Sequence, residues 1–383
     1  MTTFAPIFVP TALREALSDA SWFAAMLDAE RALARAGASV GAIPLDAVAT
    51  IEECCDLERF DLDSLSAEGR TVGNPAAPLV RALRELAGEA EPYVHFGATS
   101  QDIVDTAAML VTRTAVALIL EELAGAATAA AQLAADHRST PLAARTLLQQ
   151  AVPTTFGAKA AGWLVGLVDA RTTLAGVDLH AQLGGAAGTL APLGDRGVEV
   201  LRAYAQELGL AEPIVPWHAR RTQLAAVGGA LQQVASACGK VGLDIVLLSQ
   251  TEIGEVSEAA GGGSSTMPHK ANPVGAVLVR ACARLVHANA AVLTDGEHEH
   301  ERAAGAWQAE WTALSEALAH AGGAAAAART ALSGLEVHPD RMRANMTANL
   351  YSERDRLGLQ DATYLGSATA FVDRALDHWR GAA

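Results

Sequence analysis

The chain has 383 residues, of which 51% are hydrophobic and only 4% aromatic, and its formal charge at pH 7 is −15. This acidic balance argues against nucleic acid or an anionic membrane surface as a partner. It also means that a site for an anionic substrate must build its own local positive charge. A core poor in aromatic residues has to be made mainly of Ala, Leu and Val, a composition that favours helix.

The cysteines, Cys54, Cys55, Cys238 and Cys282, show no metal-ligand spacing, and no apolar signal segment lies within Met1–Arg14. We therefore expect reduced, buried thiols in a cytoplasmic protein, with no bound metal and no cofactor. The longest apolar runs are too short to span a bilayer, so no membrane partner is expected.

In chain order, the first ten residues are expected to be irregular, and Ser18 and Asp19 to begin a helix that ends near Gly37. Short helices are expected from Asp46 to Leu86, with breaks at 61–64 and 73–75. Longer helical patterns follow; they cover Gln101–His137, Thr154–Thr173, Leu224–Glu255, Pro273–Leu293 and Ala306–Leu332.

Such long patterns with few strand signals predict an all-α fold built on a long-helix bundle. We divide the chain into an N-terminal helical domain (1–100), a central bundle domain (101–340) and a C-terminal helical segment (341–383). Several helix faces, such as Ala225–Leu248, mix Ala and Leu with few charges. This predicts oligomerisation through the bundle, with a larger monomeric core as the alternative.

The loop Gly261–Pro273, which reads GGGSSTMPHKANP, contains the most specific signal in the chain. Its glycines allow close approach to a ligand, and two hydroxyls and one ammonium follow them. Asn272 before Pro273 predicts the N-cap and first residue of a helix. The loop would then bring its polar groups to a positive helix end, which favours an anion.

Three further segments contain polar groups at expected helix starts. In Tyr93–Asp102, a His, a Gly and two hydroxyls precede a helix, although one hydroxyl could simply cap it. In Ala144–Gly157, Pro153 predicts another helix start, and Arg145 could bind substrate or form an interhelical ion pair. In Glu297–Arg302, alternating His and Glu lack HExxH spacing, so an anion-binding Arg302 or a solvated charge run is favoured over a metal site.

The loop resembles the signature of the fumarase/aspartase superfamily, and the other three segments resemble that superfamily in the same order. The resemblance implies a homotetramer around a twenty-helix bundle, with active sites shared between subunits and a small polycarboxylate substrate. It implies Ser264 as a base and Lys270, Asn272, Thr99, Ser100 and Arg302 as substrate ligands.

Two departures from the superfamily pattern select a branch. Leu147 and Val277 stand where fumarases and adenylosuccinate lyases have a His–Glu proton-transfer pair. The branch without that pair is the bacterial 3-carboxy-cis,cis-muconate cycloisomerases, which close a lactone by intramolecular carboxylate addition. Further local likeness supports this branch, in Gly184–Leu190, Pro216–His218, Gln250–Glu252 and Glu299–Trp311.

We therefore expect closure of 3-carboxy-cis,cis-muconate to 4-carboxymuconolactone in aromatic catabolism, with Ser264, Lys270 or His95 as the proton donor. The remaining expected substrate ligands are Arg145, Thr146, Gln149, Ser265 and Met267. The alternatives are a lyase of the adenylosuccinate or argininosuccinate type and a non-catalytic helical bundle. The C-terminal domain looks shortened relative to the family.

Overall fold

The structure is a computed structural model that describes residues 3–259, 262–263, 267, 270–296 and 298–382. Short and medium helices form its N-terminal part. They are α1 (Ala5–Phe8), α2 (Thr11–Ala16), α3 (Asp19–Ser39), α4 (Leu45–Cys54), α5 (Leu62–Val72) and α6 (Ala76–Ala87). α3 begins at the predicted cap, because Ser18 Oγ accepts the backbone N–H of Ser21 at 3.2 Å. The first ten residues are not irregular throughout, since α1 lies within them.

Long helices make up the centre of the fold, which is all-α as predicted. They are α7 (Ser100–Asp136), α8 (Phe156–Ala175), α10 (Thr222–Leu248), α11 (Val274–Thr294) and α12 (Ala306–Ser333), with the shorter α9 (Gly197–Leu208) between α8 and α10. α7 packs against α3, α8 and α12, and α10 packs against α8, α11 and α12. Every residue of α7 from Gln101 to Thr112 is buried, so this helix passes through the core.

The expected helix start at Pro153 is wrong, because that residue lies in a β-hairpin. Strands β1 (Pro141–Thr146) and β2 (Gln149–Thr155) pair antiparallel, with Ala143 opposite Pro153 and a register shift between Ala143 and Arg145. A two-stranded hairpin tolerates proline, because both of its strands are edge strands. α8 begins after Thr155, whose hydroxyl accepts the N–H of Ala158 at 3.0 Å.

The predicted N-cap at Asn272 is also displaced. Asn272 ends strand β5 (Ala271–Asn272), which pairs with β4 (Gly262–Gly263), and α11 starts only after Pro273. α10 is shorter than its sequence pattern. It ends at Leu248, and the following residues lead into β3 (Val256–Glu258).

The C-terminal part contains β6 (Leu335–Val337), α13 (Pro339–Asn345), α14 (Ser352–Arg356) and α15 (Ala368–Ala382). β6 pairs antiparallel with β3. α15 packs along α8 and α7, and Asp373 accepts two hydrogen bonds from Arg138, at 2.6 and 2.7 Å.

α7, α10 and α11 are long and apolar enough, by length and composition only, to cross a membrane. Packing within the chain buries 67% of the most apolar window of α7, but only 50% of that of α10 and 39% of that of α11. The hydropathy of α7 therefore has an explanation in the core of the fold. The cysteines are free and buried, as predicted, and burial raises the pKa of Cys238 to about 12.

Candidate active site

The expected site residues that the structure describes lie at two opposite ends of the bundle. α7 has 37 residues, so it is about 54 Å long. Thr99 and Ser100 stand at its first turn. The β1–β2 hairpin is anchored at its last turn, where Gly157 N donates to His137 O at 2.9 Å. We call these the Asp102 end and the hairpin end.

The neighbouring helices follow the same axis. α10 starts at the Asp102 end, where Arg221 binds Asp105 at 2.6 Å, and approaches the hairpin end, where Trp163 Nε1 donates to Asp244 at 2.8 Å. The segment that leads into α11 is therefore at the hairpin end. Seven residues of extended strand reach about 24 Å, so the hairpin tip stays at least about 25 Å from Thr99. A single chain cannot bring both ends to one small substrate.

A fully buried carboxylate organises the Asp102 end. Asp102 Oδ2 accepts the backbone N–H groups of Thr99 and Gly185, each at 2.9 Å. Its Oδ1 accepts the N–H of Gly184 at 2.9 Å and lies 2.6 Å from His218 Nε2. Three segments thus meet at the Asp102 side chain. They are the Thr99–Ser100 turn, the loop of residues 184–190 (the glycine loop) and the Pro216–His218 segment.

His95 forms a carboxylate–imidazole pair at the same end. Its Nδ1 lies 2.5 Å from Oε1 of Glu30, whose side chain is 1% exposed. Burial alone lowers the pKa of His95, but the charge and hydrogen bond of Glu30 outweigh it, so the net pKa is above 6.5. His95 also has a φ of +61°, a strained conformation for a non-glycine residue. This arrangement can hold a proton on the imidazole.

Arg302 is also at the Asp102 end. Its Nη2 donates to Ala186 O at 2.9 Å and to Gly185 O at 3.4 Å, on the loop that Asp102 holds. The fold therefore brings Arg302, His95 and the Thr99–Ser100 turn together at one end. These residues are a cation, an acid and hydroxyl groups, which suit binding of a carboxylate and transfer of a proton next to it.

About one turn further along α7 lies a buried ion cluster that the sequence did not predict. Arg221 binds Asp105 at 2.6 and 2.9 Å and Glu310 at 2.5 Å, with all three side chains almost fully buried. His298 Nε2 lies 3.2 Å from Glu310 Oε1, so part of the His/Glu run is structural. Among the residues described, no group of three or more His, Cys, Asp or Glu side chains is arranged to hold a metal ion.

At the hairpin end, Arg145 forms a bidentate ion pair with the buried Glu255, at 2.7 and 2.9 Å. The pair joins a strand to a loop, so it is not the interhelical pair considered from sequence. Asn345 Nδ2 donates to the same carboxylate at 2.8 Å. Thr146 and Gln149 are exposed near the hairpin tip.

The loop residues that the structure describes also lie at the hairpin end. Lys270 is exposed, its backbone N–H donates to Met267 O at 3.0 Å, and Met267 is 40% exposed. Asn272 ends β5. The predicted sites Ser264 and Ser265 lie outside the described residues.

The first turn of α11 does not offer the open anion site expected from sequence. Glu258 accepts the backbone N–H groups of Gly275 and Ala276, each at 2.8 Å. The positive end of the helix is thus occupied by a carboxylate of the same chain. A substrate anion therefore cannot use these two N–H groups while Glu258 binds them.

Comparison with known proteins identifies the family. A protein-family model described as "Lyase" matches residues 10–287. The chain belongs to this lyase family. The match confirms the resemblance to the fumarase/aspartase superfamily and makes the protein an enzyme of that class.

The relatives of this lyase have more than one activity. Nitrosuccinate lyase of Streptomyces davaonensis is 45% identical, over 97% of this chain and 82% of that protein. 3-Carboxy-cis,cis-muconate cycloisomerase of Bradyrhizobium diazoefficiens is 42% identical, over 96% and 86%. The solved structure of 3-carboxy-cis,cis-muconate lactonizing enzyme from Pseudomonas putida matches with a TM-score of 0.92 and 37% identity, over 99% of both chains. The likeness thus covers the whole fold, and these relatives have two different activities.

Sequence reasoning missed the carboxylates of the lyase that hold its site residues. Asp102 had a local signal, since an acidic residue three positions after Thr99 fits a capping box. Glu30, Glu255 and Glu258 had none, because each acts on a segment distant or separate in sequence.

Proposed function

We propose that this lyase is a 3-carboxy-cis,cis-muconate cycloisomerase that forms 4-carboxymuconolactone, a step of protocatechuate catabolism. One observation carries the proposal. The fold matches the lactonizing enzyme of Pseudomonas putida with a TM-score of 0.92 over 99% of both chains. Leu147 and Val277 support it, because they replace the His–Glu relay by aliphatic groups.

The chemistry needs one proton and no co-reactant. One carboxylate oxygen of the substrate attacks a diene carbon, and the new C–O bond closes the lactone. The displaced electron pair moves onto a carbon next to another carboxylate, and that carbon takes the proton. Because the nucleophile is part of the substrate, the enzyme has to fold the substrate, hold its other carboxylates and supply the proton.

We assign carboxylate binding at the Asp102 end to Thr99, Ser100 and Arg302. The hairpin ends of other subunits would add further ligands, which are Arg145, Thr146, Gln149, Met267 and Asn272. Ser265, outside the described residues, stays a predicted ligand. The candidates for the proton donor are Ser264, Lys270 and His95. The Glu30 carboxylate favours a protonated His95.

A homotetramer with shared sites is part of this proposal, and the surface of α11 supports it. Its exposed apolar residues share one face, since at 100° per residue they fall within about 80°. They are Val274, Val277, Leu285 and Val292, which are 38–51% exposed. A stripe of this kind on a long helix is suited to packing against the helices of a second copy.

The hairpin tip supports the same assembly. Leu147 and Leu148 are 96% and 76% exposed, and both have positive φ. A two-residue turn of this type favours Asn-Gly, so two leucines are costly there in an isolated chain. Covering the tip with another subunit would recover part of that cost by burying apolar surface.

A second candidate is nitrosuccinate lyase, favoured by the 45% identity over 97% of this chain. Loss of nitrite from nitrosuccinate would leave fumarate. It needs a base to remove a proton next to one carboxylate while both carboxylates are held. The same ligands would serve, with the acid–base group acting in the opposite direction.

Two assays on the purified protein distinguish the candidates. Lactonisation is followed as the loss of the ultraviolet absorbance of the 3-carboxymuconate diene, and elimination as the release of nitrite from nitrosuccinate. We expect the first, with a rate reduced about 100-fold or more in whichever of the Ser264→Ala, Lys270→Ala and His95→Asn variants removes the proton donor. Nitrite release without lactonisation would replace the first candidate by the second. Inactivity in both assays would refute both.

A further inference from the structure

Asp102 is bound to three separate segments of the site. Its two oxygens receive donors from Thr99, Gly184, Gly185 and His218, at 2.6–2.9 Å, and the side chain is 0% exposed. Thr99 precedes α7, the glycines belong to the 184–190 loop, and His218 precedes α10. A buried carboxylate with its bonding capacity used in this way is fixed in position.

The glycine loop held by Asp102 is also confined on its other sides. A Cβ added to Gly184 would lie 2.7 Å from Pro216 Cβ, and one added to Gly185 would lie 2.7 Å from Gly97 O. Gly185 has a φ of +70°, which favours glycine. The loop is therefore wedged between the 93–100 segment and the 216–218 segment, and Arg302 binds its carbonyl groups.

We propose that Asp102 is the positioning residue of the carboxylate site, setting the distance between Arg302 and the Thr99–Ser100 turn. It acts through the loop and not by touching substrate, since it is completely buried. The proposal rests on the proposed function only in so far as that function assigns carboxylate binding to Arg302, Thr99 and Ser100.

Asp105 provides a matched control. It is also a buried carboxylate, it lies three residues further along α7, and it binds Arg221, Gln101 and Trp307. None of these partners is an assigned ligand of the substrate. If Asp102 had only a structural role, Asp102→Asn would therefore change stability and substrate binding in the same way as Asp105→Asn.

The test compares Asp102→Asn, Asp105→Asn and Gly185→Ala in the full-length protein. Asn has the size of Asp, but its NH2 group would face two of the four donors. Gly185→Ala disturbs the 184–190 loop without changing the Asp102 carboxylate. It therefore tests the same proposal if Asp102→Asn does not fold. The measurements are steady-state kinetics, calorimetric binding of 3-carboxymuconate, and NMR titration of the His95 ring.

In Asp102→Asn and Gly185→Ala we expect KM and the dissociation constant to rise about tenfold or more, with kcat reduced less than about threefold. In Asp105→Asn, KM should stay within about twofold while the melting temperature falls. Asp102→Asn should also lower the pKa of His95, since the charge of Asp102 helps to raise it.

An unchanged dissociation constant in Asp102→Asn would overturn the proposal, because loss of the Asp102 charge by itself can shift the His95 titration. So would a loss of stability alone, matching Asp105→Asn. Failure of the proposed function is recognised separately, because wild-type protein would then not lactonise 3-carboxymuconate, and calorimetric binding of nitrosuccinate to the same variants would still test Asp102.

Discussion

Single side chains at the Asp102 end decide the protonation state of the site. Burial alone would lower the pKa of His95, and the adjacent Glu30 carboxylate, together with the charge of Asp102, reverses this. Because the folded-state pKa is raised above 6.5, the pair stabilises the fold fully below about pH 6.5. That stabilisation is lost as the pH rises through the folded-state pKa.

Glu30→Gln should therefore lower the pKa of His95, since burial is then opposed by the charge of Asp102 without that of Glu30. If His95 supplies the proton, the high-pH decline of kcat/KM should move to lower pH with it. Ring-proton NMR titration and a pH–rate profile check the two statements. Glu316→Gln, next to His320, is the control and should leave both unchanged. An unaltered His95 titration in Glu30→Gln would contradict the assignment.

At the scale of secondary structure, the start of α11 is fixed by a carboxylate from outside the helix. Glu258 ends β3 and binds two N–H groups of the first helical turn. β3 itself is paired with β6, which follows α12. The position of Lys270 and Asn272 therefore depends on the β3–β6 ladder and on Glu258, as well as on the loop sequence.

Glu258→Ala should lower the free energy of unfolding by about 1–2 kcal/mol, because two N–H groups at a helix N-terminus lose a charged acceptor. Thermal or urea unfolding measures this. Glu336→Ala removes an exposed neighbour on β6 and should change stability by less than about 0.5 kcal/mol. Equal effects of the two substitutions would mean that Glu258 does not anchor the helix.

At the scale of the whole molecule, the two sets of expected ligands are separated along the bundle. Thr99, Ser100 and Arg302 lie at one end, and Arg145 and Lys270 at the other. Closed symmetry with antiparallel neighbours would place the Asp102 end of one copy beside the hairpin end of another. In such an assembly, each site would need at least two subunits.

Mixing inactive variants from opposite ends should therefore restore activity. After joint dissociation and reassembly of Arg302→Ala and Lys270→Ala in equal amounts, about a quarter of the sites would combine two unaltered ends. Activity should return to roughly that fraction of wild type. Arg302→Ala mixed with Ser100→Ala is the control, since both changes affect the same end, and it should stay inactive. No recovery in the first mixture would contradict sharing between ends.

The sequence by itself determined the all-α fold, the long helices and the superfamily, because these depend on local patterns. Apolar periodicity marks α7 and α12 within two residues at each end, and the Gly261–Pro273 loop is a contiguous motif. Local rules failed at Pro153 and Asn272, where hydrogen bonding to a second strand replaced the expected helix starts.

Only the tertiary structure decided which partner each polar group has. Glu30 binds His95 from 65 residues away, and Glu255 binds Arg145 from 110 residues away. Such pairs leave no trace in local spacing, because they form only when the fold has excluded water and each buried charge must find a counterpart. For the same reason the sequence pointed to an anion site at the start of α11, and the folded chain had already placed Glu258 there.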